Sequence, residues 1–245
     1  MRAELALQGP KSRDILLALG GEAGDLRSVR TLPWAGITHV TLGGFDLIVS
    51  RTGYTGERVA FEIFVHPDRI VELWHKLLEV GEPYGLKPCG LAARDSLRTE
   101  AGLPLYGHEL AGPLGLTMAE AGFGTYPKLY KPFFVGREAY IERLKRKKGQ
   151  VVRFRVPEKG QPMPQQLDPV VDDRGRVVGW VTSCSVDTEG YLLGQAYVRE
   201  AYRKAGTSLA VLVTPRRAPK PREKLKLGDR VPMPTPIEVL TRFPR

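Results

Sequence analysis

Residues 89–110 read CGLAARDSLRTEAGLPLYGHEL. Leu91, Ala92, Ala93 and Leu97 offer apolar cover in a run of good helix formers, so the stretch opens as a helix. Gly102 and Pro104 stop it, as C-terminal punctuation does. Arg94 and Arg98 are four apart and share one face. Asp95 and Arg98, three apart, are spaced to pair along the surface. A two-arginine face leading into Leu103, Pro104, Leu105, Tyr106 and Gly107 suits a polar or acidic ligand, but by pattern alone the more ordinary reading is a solvated or internally paired helix.

Upstream, strands and helices interleave. A short apolar run from Leu5 leads into a helix with Pro10 in its first turn and Ile15, Leu16 and Leu19 on its apolar side, ended by Gly20-Gly21. Gly36–Leu42 and Phe45–Ser50 alternate around Gly43-Gly44, a hairpin signal. A glycine-bearing loop covers Arg51–Arg58, and Ala60–Val65 is a strand. Asp68 is placed to cap a helix whose apolar side is Ile70, Val71, Leu73, Trp74, Leu77 and Leu78. The mixture indicates α/β layers.

Downstream the texture changes. Gly112–Pro132 reads as an ordered loop crossing the ligand region, and Gly136–Lys147 as a short basic helix. Val151–Val156, Pro169–Val171, Val177–Ser183, Leu193–Val198, Ser208–Val213 and Ile237–Leu240 are β-like runs. Asp172–Gly175 is a hairpin turn between two of them. Many short strands without a long helix indicate a small barrel or sandwich. Thr214–Pro234 is read as a mobile basic loop. The expectation is an α+β protein: residues 1–135 an α/β module, 136–150 a helical connection, and 151–245 a β-barrel.

Composition narrows the function. Of 245 residues, 42% are hydrophobic and 26% charged, in the globular range. No apolar run approaches the roughly 18 residues of a membrane span. The start carries no signal core, and Cys89 and Cys184 stand far apart, so a reducing cytoplasm is expected and neither a disulfide scaffold nor a zinc site is indicated. The net charge of +10 suits acidic partners or small anions. Its densest runs, Arg143–Lys148 and Arg216–Lys226, lack interleaved aromatics, so a nucleic-acid platform is not indicated. His39, His66, His75 and His108 are scattered, without metal-binding spacing. Neither GxSxG nor a P-loop is present.

Five motifs in order carry a resemblance: Leu5–Pro10 (LALQGP), Arg51–Glu57 (RTGYTGE) with Phe61-Glu62-Ile63, residues 90–110, Phe134–Ala139 (FVGREA), and Val178–Ser183 (VGWVTS). Together they resemble the aminomethyltransferase family, the T-protein of the glycine cleavage system and its folate-dependent relatives. The resemblance implies a ferredoxin-like module followed by a C-terminal barrel. It implies tetrahydrofolate as the cofactor, and transfer of an aminomethyl or methyl carbon to its N5. A folate-dependent demethylase of another small substrate, and a non-catalytic folate-binding subunit, are the alternatives.

Three residues are candidates for binding the cofactor. Glu62 alternates with Phe61 and Ile63, so it faces either water or a cleft; the family glutamate at this position binds folate. Arg94 matches the family arginine, and its donor fork suits a carbonyl or carboxylate. Tyr54, in the glycine loop, is placed to stack on or hydrogen-bond a folate tail. Arg98 is read as structural, paired with Asp95 or Glu100. The run from Glu57 to Glu62 is one residue longer than the family's acid-glycine form, a departure that bears on Glu57 more than on Glu62.

In relatives, a substantial region before LALQGP supplies an aspartate that activates the folate nitrogen. No residue here matches it, so no catalytic residue is assigned. The resemblance therefore leaves room for a separate N-terminal polypeptide as partner, beside folate and a lipoyl carrier protein. Its structural signature would be an exposed apolar face.

Overall fold

The computed structural model describes residues 1–213 and 234–244. The chain forms two compact units, Met1–Arg94 and Asp95–Arg245. The expected α+β organisation, an α/β module followed by a closed barrel, is what the described residues have.

In the first unit, β1 (Ala3–Gln8), β2 (Ile37–Leu42), β3 (Phe45–Ser50) and β4 (Ala60–Val65) form an antiparallel sheet in the order β1-β4-β3-β2. β2 and β3 join through Gly43 and Gly44, at φ 57° and 78°, the positive pair that a tight hairpin turn requires. Helices α1 (Ser12–Ala18), α2 (Ala23–Thr31) and α3 (Ile70–Gly81) bring Leu16, Val29 and Leu73 into one core with Leu7, Val40, Leu47, Val49, Phe61 and Ile63. These strand residues alternate along their strands, so all three helices cover one face and the intervening residues belong to the other.

Local details differ from expectation. α1 starts at Ser12, beyond Pro10, and Ser12 Oγ donates to Val59 O at 2.9 Å. α2 was not expected; AGDLRSVRT has little apolar periodicity, and Val29 is its one buried residue. Asp68 does not cap α3. A 3-10 turn over Pro67–Arg69 precedes that helix, and the cap bond runs from the Asp68 N–H to His66 Nδ1 at 3.3 Å. α3 buries Leu73 and Leu77, while Val71 and Trp74 stay exposed on the neighbouring stripe.

The chain enters the second unit along α4 (Leu91–Glu100). Its expected apolar cover is not what holds it: Leu91 is 87% exposed, and the buried residues are Arg98 and Thr99. Arg98 Nη2 lies 2.5 Å from Asp95, Nη1 lies 3.1 Å from Glu109, and both Arg98 and Glu109 are wholly buried. Ser183 closes the ring, accepting from Arg98 Nη2 at 2.8 Å and donating to Glu109 at 2.6 Å. A buried guanidinium is tolerated only with such a full set of acceptors.

After α5 (Arg137–Lys145), strands β5 (Gly149–Arg155), β6 (Pro169–Val171), β7 (Val177–Val186), β8 (Leu192–Arg199), β9 (Ser208–Val211) and β10 (Thr235–Leu240) close as β10-β5-β8-β7-β6-β9. Val152, Phe154, Val170, Val181, Ala196, Val198, Val211 and Val239 fill the interior. The Asp172–Gly175 turn is as expected, with Gly175 at φ 72°. The Asp172 carboxylate accepts from the Arg174 and Arg176 N–H groups and from the Arg176 side chain. That guanidinium, with the further hydrogen bonds, holds its pKa down to about 2. The expected basic loop, apart from Pro234, lies outside the described residues. No helix among the described residues is long and apolar enough to cross a membrane.

Candidate functional site

The site is built on the sheet face that the helices leave uncovered. The strand register fixes its rows. Ala6, Glu62, Ser50 and Ile37 align across β1, β4, β3 and β2; Glu4, Phe64, Ile48 and His39 form the next row. Ile37 is 67% exposed, and Ile48 and Phe64 are half-buried. Glu62 is thus a half-buried carboxylate with apolar side chains on the neighbouring positions of its face.

The glycine loop, residues 51–59, borders this face. Thr52 Oγ1 donates a hydrogen bond to Glu62 Oε2. Ser50 and Thr52 hydroxyls are 2.8 Å apart. Thr55 Oγ1 donates to Gln8 Oε1 at 3.0 Å, and Gln8 Nε2 donates to Phe61 O at 3.3 Å, so the loop is tied to β1 and through it to β4. Gly53 is where the loop comes nearest: a Cβ there would strike the Gln8 carboxamide and the Ala60 side chain. Glycine is needed for that close approach. Glu57 turns back on its own loop, accepting from the Arg58 and Val59 N–H groups at 2.7 and 3.2 Å. It is a turn-closing residue.

The three sequence candidates fall into two linked groups. Glu62 is joined to the loop through Thr52, while Tyr54, on the same loop, lies under Arg94 with the guanidinium carbon 5.2 Å from the ring centroid. That range allows a cation–π contact. Among the described residues no ion pair joins Arg94 to Glu62, and the Arg94 guanidinium makes no side-chain hydrogen bond. Glu62 Oε1 likewise has no partner among them, leaving acceptor capacity on the carboxylate. Glu4, on the adjacent row, has its pKa raised by partial desolvation and then by repulsion from Glu62.

Arg98 shared a helical face with Arg94 in the sequence, but its donors are consumed by Asp95, Glu109 and Ser183, as a structural arginine's are. His108 Nδ1 sits 3.1 Å from Thr182 O and is a hydrogen-bonded histidine. Burial pushes the Cys184 thiol up to about 12, the opposite of an activated nucleophile. No group of His, Cys, Asp and Glu able to hold a metal ion occurs among the described residues.

Sequence reading missed Thr52, Ser50 and Gln8 as neighbours of the candidate acid. Thr52 lies inside the quoted RTGYTGE motif, so its position was visible. Its contact with Glu62 depends on the β3–β4 register, which local pattern does not encode.

The model of the GCVT N-terminal domain matches residues 1–131, more than half the chain. The chain belongs to this family. It is 41% identical over 223 residues to an aminomethyltransferase of Alkaliphilus metalliredigens, covering 86% of this chain and 55% of that one. It is 42% identical over 221 residues to one of Symbiobacterium thermophilum, with the same coverage. Among solved structures it is similar to the glycine cleavage system aminomethyltransferase T of Bartonella henselae, with TM-score 0.76, 26% identity, 98% of this chain and 58% of that one. The chain thus spans about half the length of the curated relatives it matches.

Proposed function

We propose that this chain supplies the folate-binding face of a tetrahydrofolate-dependent one-carbon transferase, with the face carried by residues 1–135. The observation that carries the reading is Glu62: a half-buried carboxylate on an uncovered sheet face, pinned at one oxygen and without a partner at the other. The pterin edge presents neighbouring N–H donors, and an ionised carboxylate accepts such a pair with charge-assisted strength. Arg94 over Tyr54 provides a fork of donors for a carbonyl or carboxylate of the same ligand, and Tyr54 an aromatic surface for its tail.

When bound, tetrahydrofolate would supply the nitrogen that receives an aminomethyl or methyl carbon. The residues of this chain bind and orient it; none of those described here is assigned the proton-transfer step. A basic chain, +10 overall, favours docking of an acidic lipoyl carrier protein as donor. A cytoplasmic setting accompanies this reading.

The uncovered face favours a second reading: a folate-binding subunit of a split enzyme, completed by a separate N-terminal polypeptide. Exposed Ile37 beside half-buried Ile48 and Phe64 is the kind of apolar surface that a partner covers. A folate-dependent demethylase would use the same face with a different donor.

The test is calorimetric titration of the purified chain with 5-formyltetrahydrofolate, repeated with Glu62→Ala. The reading expects micromolar binding that the substitution abolishes. Unchanged binding in Glu62→Ala would remove Glu62 from the site. Binding that appears only after a candidate N-terminal polypeptide is added would select the split-enzyme reading. Turnover assays with lipoyl-carrier and free small-amine donors then separate transferase from demethylase.

A further inference from the structure

Resting on the folate reading above, we propose that Thr52 is a positioning residue that sets the Glu62 carboxylate for its ligand, with Ser50 setting Thr52 in turn. The hydrogen-bond directions follow from elementary chemistry. An ionised carboxylate only accepts, so the single Thr52 hydroxyl proton goes to Glu62 Oε2. That proton is then spent, and Ser50 must be the donor across the 2.8 Å contact between the two hydroxyls. The result is a directed relay, Ser50 to Thr52 to Glu62.

Each member is held by the fold. Ser50 ends β3 and is the direct cross-strand neighbour of Glu62 on β4. Thr52 begins the glycine loop, whose approach to β1 and β4 is fixed by the Thr55–Gln8 bond and by the absence of a side chain at Gly53. On the β1 side, Glu62 faces Ala6, whose methyl offers no hydrogen bond. The carboxylate is therefore tethered from the β3 side alone, and Oε1 remains for a ligand.

A glutamate has three rotatable side-chain bonds, and fixing them before binding lowers the entropy that binding must supply. Thr52 should thus act on affinity through Glu62 without touching the ligand. Losing a hydrogen bond to a charged group corresponds to about tenfold or more in an equilibrium constant. Thr52→Val keeps the β-branched shape and removes the hydroxyl. Thr52→Ser keeps the hydroxyl.

The experiment combines 5-formyltetrahydrofolate titration with crystal structures of the unliganded chain, for wild type, Thr52→Val, Thr52→Ser, Glu62→Gln and the Thr52→Val/Glu62→Gln pair. The proposal expects Thr52→Val to weaken binding about tenfold, Thr52→Ser to restore it, and the double variant to bind no worse than Glu62→Gln alone. It also expects Glu62 in one rotamer in wild type and Thr52→Ser, and in several in Thr52→Val. Wild-type affinity in Thr52→Val, with Glu62→Gln impaired, would overturn the positioning role while leaving the folate reading standing. Loss of affinity in Thr52→Ser equal to that in Thr52→Val would also overturn it. If wild type binds no folate, the folate reading fails, and the rotamer comparison decides the relay: an unmoved Glu62 in Thr52→Val overturns it.

Discussion

The sheet of the first unit and the barrel of the second handle charge in opposite ways. The barrel closes on itself and leaves no strand edge, and the unit that holds it contains a buried pair, Arg98 and Glu109, which satisfy each other with help from Asp95 and Ser183. The four-stranded sheet packs helices on one face and leaves the other uncovered. There Glu62 is only half-buried and half-satisfied, beside a second acid, Glu4, that it repels. Complete satisfaction marks a group that holds the fold; incomplete satisfaction at a shaped surface marks one held ready for something else.

The largest expected effect separates these two kinds of charge. Arg98→Met leaves the Glu109 carboxylate buried without its partner, which should cost about 3–5 kcal/mol of stability. Glu62→Gln, on the half-open face, should change stability by less than about 1 kcal/mol, since screened partly exposed groups contribute little. Urea denaturation of both variants checks the contrast. Equal losses would break it.

Acid sensitivity should follow the barrel's Asp172. Its pKa is lowered to about 2 from an ordinary 3.8, so folding favours the charged form. The stabilisation is present above about pH 4 and fades as the pH falls towards about 2. Asp172→Asn should therefore lower stability at neutral pH and flatten the pH dependence between about 4 and 2, measured by thermal unfolding across that range.

The cysteines should divide sharply. Cys89 is exposed, while Cys184 is mostly buried with its thiol pushed up to about 12. With a thiol reagent at pH 8, one group should react promptly and the second only on denaturation, and Cys89→Ser should remove the fast phase. Prompt reaction of Cys184 would mean that the barrel opens readily.

The smallest effect is at Glu4. Its raised pKa makes the charged form a burden on the fold, a cost that grows as the pH rises above about 4.5. Glu4→Gln should stabilise the neutral-pH protein by about a few tenths of a kcal/mol, small because solvent screens the group. Combining it with Glu62→Gln should give no further gain.

How legible this was in the sequence depended on whether a feature is local. β4 and the β2–β3 hairpin follow period-two alternation and glycine turn chemistry, and both lie where alternation puts them. The short barrel strands were legible for the same reason, their ends shifting by up to a few residues. α2 was hidden because it buries one residue and carries three charged ones. The anchoring of α4 was misjudged because Leu91, Ala92, Ala93 and Leu97 look like a packing face, whereas the helix is fixed by a buried arginine whose partners Glu109 and Ser183 lie 11 and 85 residues away. Glu62 was legible as a residue of the RTGYTGE-linked strand; its tether to Thr52 required the register.

The most direct test of the central claim is hydrogen exchange, followed with and without 5-formyltetrahydrofolate and resolved to peptides. A folate face on the sheet predicts added protection in the glycine loop, residues 51–59, and around Arg94, with the barrel strands unchanged. Protection confined to the barrel, or none at a ligand concentration that saturates calorimetric binding, would contradict it.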